Sequence, residues 1–507
     1  MSTQVVGETR LVRATTRPAA RFERPRSLLP LLLILALQLA EGALLLHNSA
    51  FQDEALYIYA GAQIWHSLTG GPPPPENYAV YFSGYPYVYP LLAGILNGIG
   101  GLEVVRWFSA LCMLVPTGCA YAIGKRLYSQ ASGFAAAALF AFLGPTLLLS
   151  RLATFDALCL ALIALAALLA IQVSEASEPA GAVMLAPLLV LAFGAKYAAL
   201  IFVPLVIGLM AVRTLETRGW GRAALHVALA LATLVGLVFT LYHTLNHDFL
   251  HAIQGSTTNR APIATASSLA LLSEILSLGG LLWLLGLVGL YFSGGRVRLT
   301  SLALVACSVA MPAYHLYSGE SVSLQKHVGY GLFFIAPLAG YAVAEIVGRV
   351  GPVRLDARWL AALMIFTLGI VSGLSEANWW YQSWPNSSQL VTTMRTQVRP
   401  ATGHYLCEDM EVVRYYLADV TTSPEYTGLG FFQYPGANGE QLTGQPAYVA
   451  AIQGGYFDLV ELSEASPLDP ALQAALAANP QYQLIARIPY TNSYGRSYYL
   501  VWRRNSA

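Results

Sequence analysis

Two adjacent carboxylates, Asp53 and Glu54, are the residues of this sequence whose types and position best suit chemistry. They follow an apolar run, Leu28–Leu46, that is long enough to cross a bilayer. No Lys or Arg occurs from residue 27 to residue 105, so no sequence neighbour neutralises them. A carboxylate held just outside a membrane can serve as a base toward a lipid-borne substrate. The alternative is that Asp53 only caps the helix that begins here.

A second set of candidate residues consists of cations near the predicted ends of apolar runs: Arg151, Lys196, and Lys326 with the adjacent His327. A charge at the lipid boundary is costly unless it is paired, solvated or used to hold an anion. Each cation could instead extend to the lipid headgroups. Because three of them are predicted on one face of the membrane, we expect them to bind the phosphate of a lipid.

A third pattern, His243, His247 and His251, places three imidazoles on one helical face at a spacing that could bind a metal. No fourth ligand is apparent, so we favour polar residues that end a membrane span. We therefore expect no metal site at these histidines and no cofactor. Whether the reaction itself uses a divalent cation stays an open alternative.

The composition identifies the elements that must position these residues. Hydrophobic residues make up 56% of the 507 and charged residues 11%, against about 25% charged in an ordinary soluble domain. Apolar runs of membrane-spanning length recur along the chain, which predicts a polytopic membrane protein. The net charge of +1, with no basic patch, gives no indication of a nucleic-acid partner.

About eleven spans are predicted, and a twelfth apolar run, Leu91–Gly100, is short enough to be an interfacial helix. The predicted spans are Leu28–Leu46, Val104–Ile123, Gly133–Leu149, Ala157–Val173, Gly181–Phe193, Tyr197–Val212, Ala223–His243, Ser268–Phe292, Leu299–Tyr314, Val328–Val347 and Trp359–Leu374. This assignment puts sixteen basic residues on the cytoplasmic side and five outside before the C-terminal domain. Counting Leu91–Gly100 as a crossing would invert the later loops, against the positive-inside rule.

Three regions follow from this topology. Residues 1–26 form a disordered cytoplasmic tail, and residues 27–374 form the transmembrane domain with a first outer loop at 48–103. From residue 375 to residue 507 the composition is that of a soluble domain, predicted to be extracytoplasmic. There, Gly403–Asp409 is typical of a strand before a helix, and Leu484–Pro489 is expected to pair with Ser497–Arg503. The predicted fold class is an all-α membrane domain with a small C-terminal α/β domain.

Several segments resemble a known family. They are Tyr87-Val-Tyr-Pro-Leu-Leu, Val105-Arg-Trp-Phe-Ser-Ala-Leu, Ile123-Gly-Lys-Arg-Leu-Tyr and the stretch from Gly133 to Ser150-Arg-Leu-Ala-Thr-Phe-Asp156. In order and type they look like the start of the polyprenyl-phosphate-sugar-dependent glycosyltransferases of the GT-C fold. That group includes the protein O-mannosyltransferases and the lipid A aminoarabinose transferases. The resemblance covers residues 48 to 197 well, the Lys326–Pro337 stretch moderately, and the C-terminal domain scarcely.

The resemblance implies roles for individual residues. Asp53 matches the family's first-loop acid, which acts on the acceptor, and Asp156 matches the second-loop acid. Lys326 and His327 resemble the basic segment that opens a late span near the donor phosphate. The sequence departs from the family in two places. It has no second acid directly beside Asp156, where metal-using oligosaccharyltransferases show one. The usual Pro-Pro before the second interfacial helix is replaced by Gly84-Tyr-Pro-Tyr.

Sugar transfer from a lipid phosphate to a hydroxyl needs a base for the acceptor proton and cations for the charge on the leaving phosphate. Two or three Lys or Arg side chains can replace a metal ion in the second role. A direct displacement inverts the anomeric carbon and uses one carboxylate as base. We expect Asp53 to be this base, and Glu54 and Asp156 to orient the acceptor or hold a divalent ion. The tyrosines expected to bind the acceptor are Tyr57, Tyr81 and Tyr85.

The expected partners are a polyprenyl-phosphate sugar, an acceptor on an envelope lipid, glycan or protein, and the membrane itself. A transporter or flippase is the main alternative, but transporters tend to show inverted repeats and polar breaks near the midplane. Here the polar residues gather at one face. A receptor would leave the charges at the membrane edge unexplained. The expected location is the inner or plasma membrane, with a cytoplasmic N-terminus and the C-terminal domain outside.

Overall fold

The computed structural model describes residues 28–80, 82–245, 248–257, 259, 264–348, 357–399 and 402–505. The predicted tail, residues 1–26, lies outside these ranges. The helices described before residue 382 are α1 Leu29–Leu45, α2 Gln52–Leu68, α3 Tyr89–Leu127, α4 Gln130–Ala141, α5 Gly144–Arg151, α6 Phe155–Glu175, α7 Leu185–Ala195, α8 Phe202–Arg218, α9 Trp220–Thr244, α10 Asp248–Ser256, α11 Ser268–Phe292, α12 Arg298–Ser318, α13 Leu324–Gly348 and α14 Ala357–Tyr381.

Within the described residues, eight helices are long and apolar enough to cross a membrane, or nine if the bent pair α4–α5 is one span. Two shorter apolar helical segments, Leu29–Gly42 and Pro179–Ala195, accompany them. The nine spans, with α4–α5 counted as one, and the two shorter helical segments together correspond to the eleven predicted spans. The multi-pass helical architecture is therefore confirmed.

Two predicted elements are broken at small residues and proline. The helix α3 loses helical geometry at Gly100 and at Gly101, whose φ of 71° favours glycine. This break separates the predicted interfacial helix, Leu91–Gly100, from the span that follows. The predicted span Gly133–Leu149 is bent by 66° between α4 and α5, where Pro145 lacks the N–H needed to continue the helix.

The helix α13 lies at the centre of the bundle, against α4, α11 and α12. Its small residues permit close approach of neighbouring backbones, as is common between membrane helices. A Cβ on Gly331 would come within 2.2 Å of the Ser308 carbonyl oxygen, and one on Gly340 within 2.4 Å of the Ser132 carbonyl oxygen. Close backbone packing at these two glycines places α13, whose first turn carries Lys326 and His327, against α12 and α4.

The helix α2 packs along the first part of α3, beside the beginnings of α6 and α13. Its contact with α3 buries the rings of Tyr57, Phe82, Tyr89 and Phe155 in one cluster. We call the end of the bundle that carries α2 and the first turns of α6 and α13 the α2 face.

The opposite end of the bundle carries ion pairs among the basic residues predicted to be cytoplasmic. Glu175, at the end of α6, binds Arg126 of α3 at 2.6 Å and Arg213 of α8 at 2.6 Å. Arg218 donates to the Glu175 carbonyl oxygen at 2.5 Å. The described basic clusters and the α2 face thus lie at opposite ends of α6.

The helix α14 continues to Tyr381, so the boundary predicted between residues 374 and 375 falls inside it. Ala377 and Tyr381 are buried against α5, and the Tyr381 hydroxyl donates to the Leu148 carbonyl oxygen at 3.2 Å. The sequence placed the boundary too early because polar residues begin at Ser375, although the helix still packs there.

Beyond α14 the chain forms a small α/β domain. Its helices are α15 Ser388–Arg395, α16 Met410–Tyr416, α17 Gln445–Gln453 and α18 Asp469–Ala478. Its strands are β1 Tyr405–Cys407, β2 Tyr426–Thr427, β3 Gln433–Pro435, β4 Gln441–Thr443, β5 Leu459–Leu462, β6 Tyr482–Asn492 and β7 Gly495–Arg504. The five-stranded sheet has the order β2-β1-β5-β7-β6, with β1 parallel to both neighbours. The hairpin β6–β7 is the predicted one, extended at both ends.

This C-terminal domain docks on the α2 face through α16. Val412 packs against Ala50 and Ala55, and the Tyr416 hydroxyl accepts a hydrogen bond from the Ala50 amide at 2.9 Å. Tyr415 donates to Asn97 at 2.8 Å. The domain therefore lies directly over the helix that carries the acidic pair.

Arg414 is the polar anchor of this interface. Its side chain is only 2% exposed, binds Glu76 of the loop after α2 and Glu411 of its own helix, and lies 5.0 Å from the Tyr59 ring centroid. The Arg414 guanidinium thus pairs with two carboxylates and also contacts the ring of Tyr59 on α2. The C-terminal domain is coupled to the first loop by charge as well as by apolar packing.

Candidate active site

Two of the predicted site residues, Asp53 and Lys326, form an ion pair although they are 273 positions apart in sequence. Lys326 Nζ lies 2.8 Å from Asp53 Oδ2. The Asp53 side chain is 34% exposed, whereas that of Lys326 is 6% exposed and lies 5.4 Å from the Phe51 ring centroid. The carboxylate is therefore the accessible member of this pair, and the ammonium group is its buried partner.

A second ion pair stands next to the first. Lys196 Nζ lies 2.5 Å from Asp156 Oδ1, and both side chains are buried. The Tyr330 hydroxyl donates to the same oxygen at 3.1 Å, and Thr154 donates to Oδ2 at 3.1 Å. Asp156 is thus fully engaged by partners from three parts of the chain.

The two ion pairs act on each other as one electrostatic group. Lys326 attracts Asp156 as well as Asp53, and it opposes the charge on Lys196. The group of two carboxylates and two ammonium ions sums to zero. Buried opposite charges in this arrangement offset much of their desolvation cost. An incoming phosphate could exchange with a carboxylate as the partner of either lysine.

His327 extends this group toward α12. Its Nδ1 lies 2.8 Å from Nε2 of His315, and His315 Nδ1 lies 2.6 Å from the Glu320 carbonyl oxygen. Neither His315 nor Tyr330 is among the site residues predicted from the sequence. Tyr330 is one helical turn after Lys326 on α13, which was a usable signal, whereas no spacing links His315 to the site.

Glu54 does not share the surroundings of Asp53. Its side chain is 0% exposed and paired with Arg106, at 2.7 Å and 3.0 Å. The same carboxylate accepts the amide of Phe51 at 2.8 Å and that of Ala153 at 2.8 Å. Both oxygens are therefore taken by groups that join α2, α3 and the turn before α6.

Arg151 is connected to the Glu54–Arg106 pair through Glu103 and does not contact the two lysines. It binds Glu103 at 2.6 Å and lies 4.8 Å from the Trp107 ring centroid. Glu103 also binds Arg106 at 3.2 Å. Arg151 is 2% exposed, and its Nε and Nη1 lack a hydrogen-bond partner among the described residues. The structure thus brings together three of the four predicted phosphate-binding residues: Lys196, Lys326 and His327.

The predicted acceptor tyrosines are placed differently from one another. Tyr57 is 7% exposed, within the aromatic cluster under α2. Tyr85 is half-buried, and its ring centroid lies 5.4 Å from that of Tyr87 with the two rings tilted by 41°. Its backbone amide donates to the Gly194 carbonyl oxygen at 2.8 Å. Tyr81 lies outside the described residues. The contact of Tyr85 ties the loop after α2 to the segment that carries Lys196.

The three spaced histidines are only partly described. His243 is exposed and contacts Phe239 and Tyr242, His251 is exposed, and His247 lies outside the described residues. Over the described chain, no group of three or more His, Cys, Asp or Glu side chains could hold a metal ion.

Comparisons with known proteins agree with this architecture. A family model described as dolichyl-phosphate-mannose-protein mannosyltransferase matches residues 85–243. A search of curated proteins found no match.

Three kinds of solved structure share the fold. The apo structure of ArnT from Cupriavidus metallidurans is 16% identical, with a TM-score of 0.63 over 93% of this chain and 97% of that chain. The oligosaccharyltransferase AglB from Archaeoglobus fulgidus, in complex with an inhibitory peptide and a dolichol-phosphate, is 14% identical, with a TM-score of 0.56 over 92% and 74%. The arabinofuranosyltransferase AftD from Mycobacteria is 12% identical, with a TM-score of 0.52 over 95% and 40%.

ArnT has also been solved with undecaprenyl phosphate bound, and that structure has a TM-score of 0.61 at 15% identity, over 94% of this chain and 98% of that chain. The predicted GT-C fold is therefore confirmed. It includes the C-terminal domain, since the likeness to ArnT extends over nearly the whole of both chains.

Proposed function

We propose that this protein transfers a sugar from a polyprenyl-phosphate donor to a hydroxyl acceptor at the α2 face. The observation that carries the proposal is the pairing of an accessible carboxylate, Asp53, with a buried ammonium, Lys326, beside a second pair, Asp156–Lys196. The family model that matches residues 85–243 and the fold shared with ArnT and AglB support a lipid-phosphate donor.

In this proposal Asp53 is the general base. It is the more accessible of the two site carboxylates, at 34% side-chain exposure against 0% for Asp156, so an acceptor hydroxyl can reach it. Its place in the first turn of α2 is held by the neighbouring Glu54–Arg106 pair. As the acceptor oxygen attacks the anomeric carbon, the hydroxyl proton passes to Asp53.

Lys326, Lys196 and His327 hold the donor phosphate in this proposal. The bond between the anomeric carbon and the phosphate oxygen breaks, the electron pair stays on that oxygen, and the two ammonium groups offset the added charge. A single base and a departing phosphate on the other side of the sugar ring correspond to inversion at the anomeric carbon. We propose that the cations do this without a tightly held divalent ion.

We assign Glu54, Arg106 and Arg151 to positioning. Glu54 joins α2 to α3 and to the turn before α6, and Glu103 joins Arg106 to Arg151. Asp156 likewise has a positioning role, because its ion pair holds the Lys196 ammonium group in place. The acceptor is expected to approach between α2 and the C-terminal domain, which docks on α2.

The orientation follows from charge. The basic clusters described at the end of the bundle opposite the α2 face are expected to be cytoplasmic. The α2 face, the site and the C-terminal domain are then extracytoplasmic, in the inner or plasma membrane.

The test is transfer by the purified protein in lipid nanodiscs. Undecaprenyl-phosphate donors that carry different labelled sugars would be offered with extracts of envelope lipid, glycan and protein. We expect labelled product from at least one donor and release of undecaprenyl phosphate in equal amount. Sustained transfer after treatment with EDTA is expected as well. Failure of every donor to bind would contradict the proposal.

A further inference from the structure

The turn of the β6–β7 hairpin contacts the end of α14, which is a membrane span. The Ser493 amide donates to the Gln382 carbonyl oxygen at 2.8 Å, and the Ser493 hydroxyl donates to the Trp379 carbonyl oxygen at 2.6 Å. The ring centroid of Tyr494 lies 5.3 Å from that of Trp379, edge to face. We call residues 492–496 the hairpin tip. This contact joins the C-terminal domain to the bundle at a second place, apart from the docking of α16 on α2.

Trp379 continues the side of α14 that faces lipid. This helix is long and apolar enough to cross a membrane. Its exposed apolar side chains recur at a spacing of three or four residues, at Leu360, Met364, Leu368 and Val371, and each is more than half exposed. Trp379 follows two turns beyond Val371 and is 40% exposed. A continuous apolar surface on a membrane span is a surface for lipid, so the hairpin tip lies at the end of a lipid-facing surface.

The position of the contact along α14 gives its depth in the membrane. The apolar stretch of the helix ends at Tyr381, so Trp379 lies in the last turn of the span. This end belongs to the α2 face, because the Asn48 side chain donates to the Trp384 carbonyl oxygen at 2.8 Å. Trp and Tyr are enriched where a bilayer meets water, since their rings combine an apolar body with a polar group. The hairpin tip is therefore held at the level of the lipid headgroups.

The side chains of the hairpin tip suit this environment. Tyr494 is 71% exposed although its ring contacts Trp379, and Arg496 is exposed as well. Among headgroups the Tyr494 ring can be buried against the upper part of the acyl chains while its hydroxyl stays hydrated. The Arg496 guanidinium can bind lipid phosphate from the same layer.

We propose that the hairpin tip inserts into the lipid headgroup layer on the α2 face and attaches the C-terminal domain to the membrane surface. The partner is the bilayer around α14 and not another protein chain. Two observations carry this assignment: the tip is hydrogen-bonded to the end of a membrane span, and its exposed aromatic ring extends the lipid-facing side of that span. The C-terminal domain is then held at two points, on α2 through α16 and on lipid through the hairpin.

The test measures the depth of the hairpin tip in a bilayer. The five native cysteines are all buried, so a cysteine introduced at an exposed position can be labelled selectively. Full-length Tyr494→Cys, labelled with the fluorophore NBD, is reconstituted in nanodiscs of phosphatidylcholine and phosphatidylglycerol. Lipids that carry a nitroxide at the headgroup or at the end of an acyl chain quench the label according to its depth. The matched control is Gln483→Cys, an exposed position on β6 that lies about 30 Å from the tip at about 3.3 Å per residue.

We expect the headgroup nitroxide to quench the label of Tyr494→Cys at least about twofold more than that of Gln483→Cys, because interfacial aromatic positions lie at headgroup depth. A nitroxide at the end of the acyl chain should quench it less. Equal quenching of the two labels by the headgroup nitroxide would overturn the inference. Protection of the Tyr494→Cys label from aqueous iodide without quenching by either lipid would also overturn it, because a second copy or another protein would then cover the tip. Thermal unfolding checks each variant, and Arg496→Cys gives the same measurement if Tyr494→Cys fails to fold.

Discussion

At the scale of single residues, the site separates two acids that are adjacent in sequence. Asp53 is accessible and paired with one lysine, and Glu54 is buried with four hydrogen-bond contacts to its two oxygens. The helical turn directs neighbouring side chains about 100° apart. Acids at successive positions on α2 therefore face different surroundings and are expected to respond differently to substitution.

Asp53→Asn is predicted to abolish transfer while leaving the fold intact. The amide keeps the size of the side chain, and the cap at the Phe51 amide is made by Glu54 and not by Asp53, but the side-chain amide cannot take the acceptor proton. Loss of a general base typically costs about 10²–10⁴ in rate. The measurement is kcat with a labelled undecaprenyl-phosphate sugar. Asp419→Asn, an exposed aspartate on the C-terminal domain, is the matched control, and turnover of Asp53→Asn at the level of that control would exclude Asp53 as the base.

Lys326→Ala is predicted to weaken donor binding as well as turnover. Its ammonium group would contact phosphate in both the ground state and the transition state, so both KM and kcat should change. Lys125→Ala, on α3 at the opposite end of the bundle, should change neither. Steady-state kinetics over a range of donor concentrations makes the comparison. A change in kcat alone would show that Lys326 acts only on Asp53.

At the scale of elements, α2, α3 and the turn before α6 meet at the Glu54–Arg106 pair, and α16 meets α2 at Arg414. Both contacts join segments far apart in sequence, and each uses one arginine for several acceptors. The first positions α2 against the bundle, and the second positions the C-terminal domain against α2.

Glu54→Gln is predicted to destabilise the protein more than Asp53→Asn does. Glu54→Gln leaves the buried Arg106 with the exposed Glu103 as its remaining carboxylate partner, and breaking a buried ion pair costs about 3–5 kcal/mol. Thermal unfolding in nanodiscs, read from intrinsic fluorescence, should show a lower Tm for Glu54→Gln than for Asp53→Asn. Equal Tm values would indicate that the Arg106 contact contributes little to stability.

Docking of the C-terminal domain is predicted to weaken as the pH rises. Burial raises the pKa of Glu411 from its usual 4.5 to about 7, Arg414 partly opposes this shift, and Glu76 and Asp53 add to it. A carboxyl whose pKa is raised in the docked state stabilises that state at low pH, and this contribution is lost between about pH 4.5 and pH 7. Limited proteolysis of the segment after α14 should therefore accelerate from pH 5 to pH 8, and Glu411→Gln should flatten the profile. A wild-type profile as flat as that of Glu411→Gln would contradict the assignment.

At the scale of the whole molecule, charge is distributed along the axis of the bundle. Arg126, Arg213 and Glu175 occupy one end, and the two lysine–carboxylate pairs and the C-terminal domain occupy the other. Among the described spans, long apolar surfaces lie between these ends, as expected for helices in contact with lipid.

Protease added to intact cells is predicted to digest the chain beyond Tyr381. On the positive-inside rule we expect the cluster at Arg126 and Arg213 to be cytoplasmic, and we therefore expect the C-terminal domain to lie outside. An epitope tag at the N-terminus should be protected until the membrane is permeabilised. Protection of a C-terminal tag together with loss of the N-terminal one would reverse the topology.

The sequence by itself determined the elements of this protein and the residue types of its site. Apolar runs mark the spans because a bilayer requires about 20 apolar residues, and Gly100, Gly101 and Pro145 act locally on the backbone that contains them. The pairing of Asp53 with Lys326, the separation of Arg151 from the lysines, and the contact of His315 with His327 were decided only by the tertiary structure. These are contacts between different helices, and nothing in a helical or apolar pattern records which ends of two helices meet, because that depends on how all of the helices pack.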